Sequence, residues 1–110
     1  MRYLTALPVY NEEKYLDDVL PRVVANAGDV LVVDDGSSDA TPEILERRTD
    51  VRTVRHPKNR GYGGALVTAF QETLRGGYDA LVTIDCDGQH EPQLIPQLIR
   101  QLEESGADIV

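Results

Sequence analysis

The sequence predicts an α/β fold: a parallel sheet of about four strands with helices flanking it. Three observations carry that expectation. Short apolar, β-branched runs alternate with stretches of helical periodicity, the pattern of βαβ units joined by right-handed crossovers. Three of the four apolar runs end in polar clusters, Tyr10-Asn11-Glu12, Asp34-Asp35-Gly36-Ser37 and Asp85-Cys86-Asp87. Open parallel sheets bind ligands beyond the carboxyl ends of their strands, so that convergence is also the main functional signal. Finally, 110 residues with 41% hydrophobic and 27% charged content fit one ordinary globular domain, or part of a larger one.

The elements follow in order. Tyr3 to Val9 reads as the first strand. Asn11 is placed to cap the next helix, with Glu12 and Glu13 favourable to the dipole of its first turn. Leu16, Val19, Leu20, Val23 and Val24 repeat at helical spacing, while Pro21 predicts a kink or a restart. Val30 to Val33 is the second strand. Thr41-Pro42 reads as N-cap and first-turn proline of a short helix ending near Arg48. Val51 to Val54 is a weaker third strand, closed by His56-Pro57. Gly61-Tyr62-Gly63-Gly64 leads into a helix whose apolar residues are Ala65, Leu66, Ala69, Phe70 and Leu74, ended by Gly76-Gly77. Ala80 to Ile84 is the fourth strand, and Pro92 to Glu104 the fourth helix. Ala107 to Val110 reads as the start of a fifth strand interrupted in mid-fold, a short natural edge strand being the alternative.

Composition narrows the partners. A net charge of −8 argues against nucleic acid, whose backbone needs basic patches. A phosphorylated ligand stays compatible, because a divalent cation can reverse the local sign. The single cysteine precludes an internal disulfide and fits a reducing compartment. No apolar run within these residues approaches the length of a membrane helix.

In an extended segment residues i and i+2 face the same way, so Asp85 and Asp87 share a face and Cys86 points to the other, as a small core residue. Two hard oxygen ligands on one side suit Mg²⁺ or Mn²⁺ with a substrate phosphate, and Gln89 continues the period. A lone D-x-D is weak evidence; its place at a strand end before Gly-Gln-His strengthens it. Asp34 and Asp35 can accept from ribose hydroxyls or a base N–H, although Asp-Gly-Ser is also plain turn chemistry. Glu12 reads equally as a first-turn helix acid and as a ligand contact. Gly61 to Gly64 is neither a phosphate-binding Walker loop nor a dinucleotide fingerprint, and close backbone packing at a helix start explains it better. Arg60 is within reach of a phosphate by sequence. His90 reads as a hydrogen-bonding loop residue, and Lys14 and Arg22 as solvated helix positions.

Taken together, "ALPVYNEEKYL", "VLVVDDGSSDAT", "NRGYGGAL" and "LVTIDCDGQHEP" resemble the N-terminal half of a family 2 glycosyltransferase with the GT-A fold. The last is most similar to the branch that transfers mannose or glucose to polyprenyl (dolichyl-type) phosphate. The resemblance implies strand order 3-2-1-4 and a single nucleotide-sugar-binding domain over residues 1–110, truncated at a fifth strand. It implies that Pro8, Tyr10 and Glu12 line the base and ribose pocket and that Asp35, with Asp34 beside it, contacts the nucleoside. Asp85 and Asp87 match the D-x-D that meets donor and metal, Asp87 being the usual metal ligand and the catalytic candidate, and Gln89 matches a further metal ligand. Mg²⁺ or Mn²⁺, a GDP-mannose or UDP-glucose donor and a lipid-phosphate acceptor are the implied cofactor and partners. The implied reaction is an inverting transfer, with little turnover from these residues alone. The acceptor-phosphate arginines of the family lie after the strand on which this chain stops. The expected location is cytoplasmic, at the membrane face for a longer protein.

Three other readings compete. A phosphoacceptor receiver domain also pairs acids at strand ends, but a complete βα unit precedes Asp34-Asp35, and its fifth-strand lysine has no room before Val110. A non-catalytic nucleotide-sugar-binding module is not separable from an enzyme half by sequence. Sugar nucleotidyltransferases need a glycine-rich loop after the first strand, where this chain has Val9-Tyr10-Asn11-Glu12.

Overall fold

The computed structural model describes residues 2–86 and 94–105. Four strands, β1 (Tyr3–Val9), β2 (Asp29–Asp34), β3 (Arg52–Arg55) and β4 (Ala80–Thr83), form one sheet in the order β3-β2-β1-β4. Every pairing is parallel, as the alternation of strands with helices requires. The helices are α1 (Glu13–Asn26), α2 (Thr41–Glu46), α3 (Gly61–Arg75) and α4 (Ile95–Ser105).

Side-chain alternation along the strands divides the core into two layers. Leu7, Val9, Val30, Val32, Val82 and Ile84 face α1, α2 and α4, meeting Leu16, Leu20, Ile44, Ile95 and Ile99. Leu4, Ala6, Leu31 and Val33 face the other way, onto Ala65 and Ala69 of α3. Small residues on α3 let it sit close to the sheet.

Three local expectations around α1 and α2 are corrected. Asn11 does not cap α1: its own backbone has φ 52°, and its Oδ1 accepts from the Ser38 and Asp39 amides at 2.8 and 3.3 Å. The cap comes instead from the loop after β2, where Thr41 Oγ1 and Asp39 Oδ2 accept from the Glu12 and Glu13 amides. Thr41 is thus spent on α1 rather than on its own helix. Pro21 does not divide α1, which runs through it. The proline and Asp17, whose carbonyl loses its partner, are both exposed, so water can satisfy that oxygen.

The buried face of α3 also differs from expectation. It is Ala65, Thr68, Ala69, Glu72 and Thr73, whereas Phe70 is 48% and Leu74 80% exposed. Polar residues win these positions because they are partnered. Thr73 donates to the Ala69 carbonyl, and Glu72 accepts from Arg52 and Arg75. The glycines at the start of α3 meet the expectation of close packing only at Gly64, where a Cβ would stand 2.6 Å from Arg60 Cβ; a Cβ at Gly61 or Gly63 would meet nothing, and Gly61 is favoured instead by its φ of +81°. Residues 106–110, where a fifth strand was expected, lie outside the described residues.

Candidate functional site

The sheet opens at the carboxyl end between β1 and β4. Ala6 O accepts from Ile84 N at 3.0 Å, so Pro8, two residues on, faces the same side with no N–H to extend the ladder. A cleft of about 330 Å³ lies there, within the usual range for a small-molecule pocket. Its walls include Pro8, Tyr10 and Glu12 from the end of β1, Asp35 after β2, Asn59, Gly61 and Tyr62 around the start of α3, and Asp85 and Cys86 after β4.

Hydrogen bonds beyond the strands fix these loops. Asp35 N donates to Val9 O at 2.9 Å and His56 N to Asp34 O at 2.8 Å, prolonging the sheet by one pair on each side of β2. Asn11 N donates to Ser37 Oγ at 2.9 Å, tying the β1 loop to the β2 loop. Gly36 has φ +74°, and a Cβ on it would stand 2.7 Å from Asn59 N and 2.8 Å from the Lys58 carbonyl carbon. Only glycine lets the two loops approach so closely.

The two adjacent acids part company. Asp35 lines the cleft, and its Oδ1 accepts from His56 Nδ1 at 2.7 Å and from the Arg60 amide at 2.8 Å. Burial pushes this carboxyl up, but the hydrogen bonds from His56 and the Arg60 and Gly61 amides outweigh it and hold it below the usual carboxylate range. Asp34 does not reach the cleft. It is fully buried beside α2, where Oδ1 accepts from Ser37 N at 3.0 Å and Oδ2 lies 3.8 Å from Arg55 Nε. One carboxylate faces the opening; the other braces the turn that presents it.

Asp85 lies across the cleft near Tyr62, whose phenol is pushed above its ordinary value by burial and then by the Asp85 charge. Cys86 is buried in the core as expected, yet its surface also forms part of the cleft floor. Asp87, Gln89 and His90 lie outside the described residues, so the D-x-D is represented by its first member. Among the described residues no group of three or more His, Cys, Asp or Glu gathers as a metal site would need. The charge balance nonetheless suits a cation: Glu12, Asp35 and Asp85 line the cleft, and no described lining residue is basic.

Sequence reasoning missed two residues of this region. His56 reads as the end of a strand, although His-Pro before a glycine-rich helix start is where a loop must meet β2. Tyr62, 57% exposed, sits inside the glycine run that drew attention to its backbone instead.

The arrangement has close counterparts. The family model for glycosyl transferase family 2 matches residues 5–110. The chain is 38% identical to an undecaprenyl-phosphate mannosyltransferase of Micrococcus luteus, covering 100% of this chain and 47% of that one. It is 31% identical to a UDP-N-acetylglucosamine–dolichyl-phosphate N-acetylglucosaminyltransferase of Methanococcus voltae, over 94% of this chain and 48% of the relative. It therefore spans about half the length of these curated relatives. The crystal structure of S. aureus TarS 1-349 in complex with UDP superposes with a TM-score of 0.80 over 98% of this chain and 34% of that one, at 22% identity, which speaks for the fold alone. Among the described residues no helix is long and apolar enough to cross a membrane. With its motifs, sheet order and matched length agreeing, the chain belongs to glycosyl transferase family 2.

Proposed function

We propose that this chain forms the nucleotide-sugar-binding half of an inverting glycosyltransferase that moves a hexose from a GDP- or UDP-sugar to a polyprenyl phosphate. One observation carries the reading: the carboxyl-end cleft gathers Tyr10, Glu12, Asp35 and Asp85 from three separate strand ends. Asp35 suits ribose hydroxyls or a base N–H, being an ionised acceptor at the rim of an apolar wall. Tyr10 and Tyr62 are exposed aromatic faces on which a base can stack. Support for the acceptor comes from the relatives, which are named for undecaprenyl and dolichyl phosphate.

An anionic diphosphate in a cleft lined by carboxylates needs added positive charge. Held by Asp85, Asp87 and Gln89, Mg²⁺ or Mn²⁺ would supply it to the departing diphosphate. Asp85 and Asp87 are then the residues that position the leaving group, and Glu12 and Asp35 hold the nucleoside at the other end. A polyprenyl phosphate is already an anion. Its oxygen bonds to the anomeric carbon as the bond to the diphosphate breaks, inverting configuration with no base to generate the nucleophile. A nucleotide sugar used at such a lipid acceptor fits a reaction at the cytoplasmic face of a membrane.

Calorimetry with GDP, UDP and ADP, with and without Mn²⁺, tests this. Binding of GDP or UDP should strengthen with Mn²⁺ and weaken at least about tenfold in Asp85→Asn, the loss expected for a charged contact. Binding indifferent to both metal and Asp85 would remove the diphosphate end from this cleft.

A further inference from the structure

His56 is only 2% exposed, yet it carries two short hydrogen bonds to side chains of different elements. Its Nδ1 is 2.7 Å from Asp35 Oδ1, after β2, and its Nε2 is 2.7 Å from Thr68 Oγ1, on α3. An ionised carboxylate only accepts, so Nδ1 carries the hydrogen. The ring is thus braced at its far end by Thr68, itself buried, and pushes a fixed donor onto one oxygen of Asp35. The Arg60 amide donates to that same Oδ1 at 2.8 Å. Two donors on one oxygen lock the carboxylate plane, and Oδ2, with two lone pairs, can accept from a ligand in the cleft that Asp35 lines even with the Gly61 amide beside the carboxylate.

We infer that His56 is a positioning residue for nucleoside recognition: through its bond to Asp35 Oδ1, braced by Thr68, it presents Asp35 Oδ2 to the N–H or O–H donors of the nucleoside. This rests on the nucleotide reading given above. It adds that the nucleoside end of the cleft depends on an imidazole lying outside it, whereas the diphosphate end near Asp85 does not.

The test compares UDP and GDP, each with Mn²⁺, against Mn²⁺-pyrophosphate, which has the diphosphate and no nucleoside. His56→Ala should weaken the nucleotides about tenfold, as expected for loss of an orienting bond to a charged group, and leave pyrophosphate unchanged. His56→Asn, whose amide N–H can take the place of Nδ1–H, should recover most of the affinity. Thr68→Val should fall between. Equal nucleotide affinity in wild type and His56→Ala overturns the inference, and so does an equal loss of nucleotide and pyrophosphate in a folded variant. A second measurement needs no variant: the ¹⁵N shift of His56 Nδ1 in the wild type should move on nucleotide saturation and stay put with pyrophosphate. A shift unmoved by bound nucleotide counts against it. Wild-type protein that binds pyrophosphate but no nucleotide would sink the functional reading itself, and this inference with it.

Discussion

Asp34 and Asp35 show how little a motif reveals about its members. They are neighbours at the end of a strand, and because alternate side chains point to opposite faces, one braces a turn and the other meets the cleft. Asp34→Ala should remove the acceptor for the Ser37 amide and lower unfolding free energy by about 1–3 kcal/mol, read by urea denaturation, while the cleft wall keeps its own residues. Asp35 also leaves a signature in pH. Its carboxyl sits below its ordinary 3.8 in the folded chain, so its stabilising share is complete above that value and disappears as pH falls through the lower folded value. Asp39 shifts the same way: burial raises it, and the bonds it accepts from Thr41 and Glu13 prevail. Acid titration of stability should therefore show a decline below about pH 4 that is shallower in Asp35→Asn. A wild-type curve flat to pH 2 would contradict both assignments.

The helices and turns divide into those readable by pattern and those decided by neighbours. Leu16, Val19, Leu20 and Val23 form the α1 stripe expected from their spacing. On α3 the apolar Phe70 and Leu74 picked out by the pattern stay exposed, whereas partnered Thr68, Glu72 and Thr73 take the sheet side. Periodicity alone cannot see Arg52, which stands 20 residues away and supplies the ion pair that makes a buried Glu72 tolerable. Capping was hidden for the same reason, since the acceptors for α1 come from residues beyond β2. Gly36 is the turn position with least freedom. Gly36→Ala combines a positive φ with a backbone clash and should cost about 1–3 kcal/mol. It should also loosen the loop that carries Asn59. A thermal midpoint equal to wild type would mean that the two loops can move apart without penalty.

The parallel sheet with flanking helices was legible in the alternation of strand and helix patterns, whereas the order β3-β2-β1-β4 came from the resemblance that four motifs carry together. The candidate cleft was legible as a meeting of strand ends, since Pro8, Tyr10, Glu12, Asp35 and Asp85 all line it. His56 and Tyr62 were not, since a buried loop histidine and an aromatic among glycines announce themselves only when three elements are brought together. The thin α3 layer makes Leu31, fully buried between sheet and helix, a sensitive point. Leu31→Ala should destabilise by about 2–5 kcal/mol in urea melts and lower nucleotide affinity only as far as the folded population falls. The most direct measurement of all is to follow backbone amide shifts by NMR while UDP or GDP is added with Mg²⁺. Shifts should gather at Tyr10–Glu12, Asp35–Ser37, Asn59–Tyr62 and Asp85. A folded sample with no shifts, or with shifts at Gly28, Asp29 and Tyr78 on the opposite end of the sheet, would contradict a nucleotide site in this cleft.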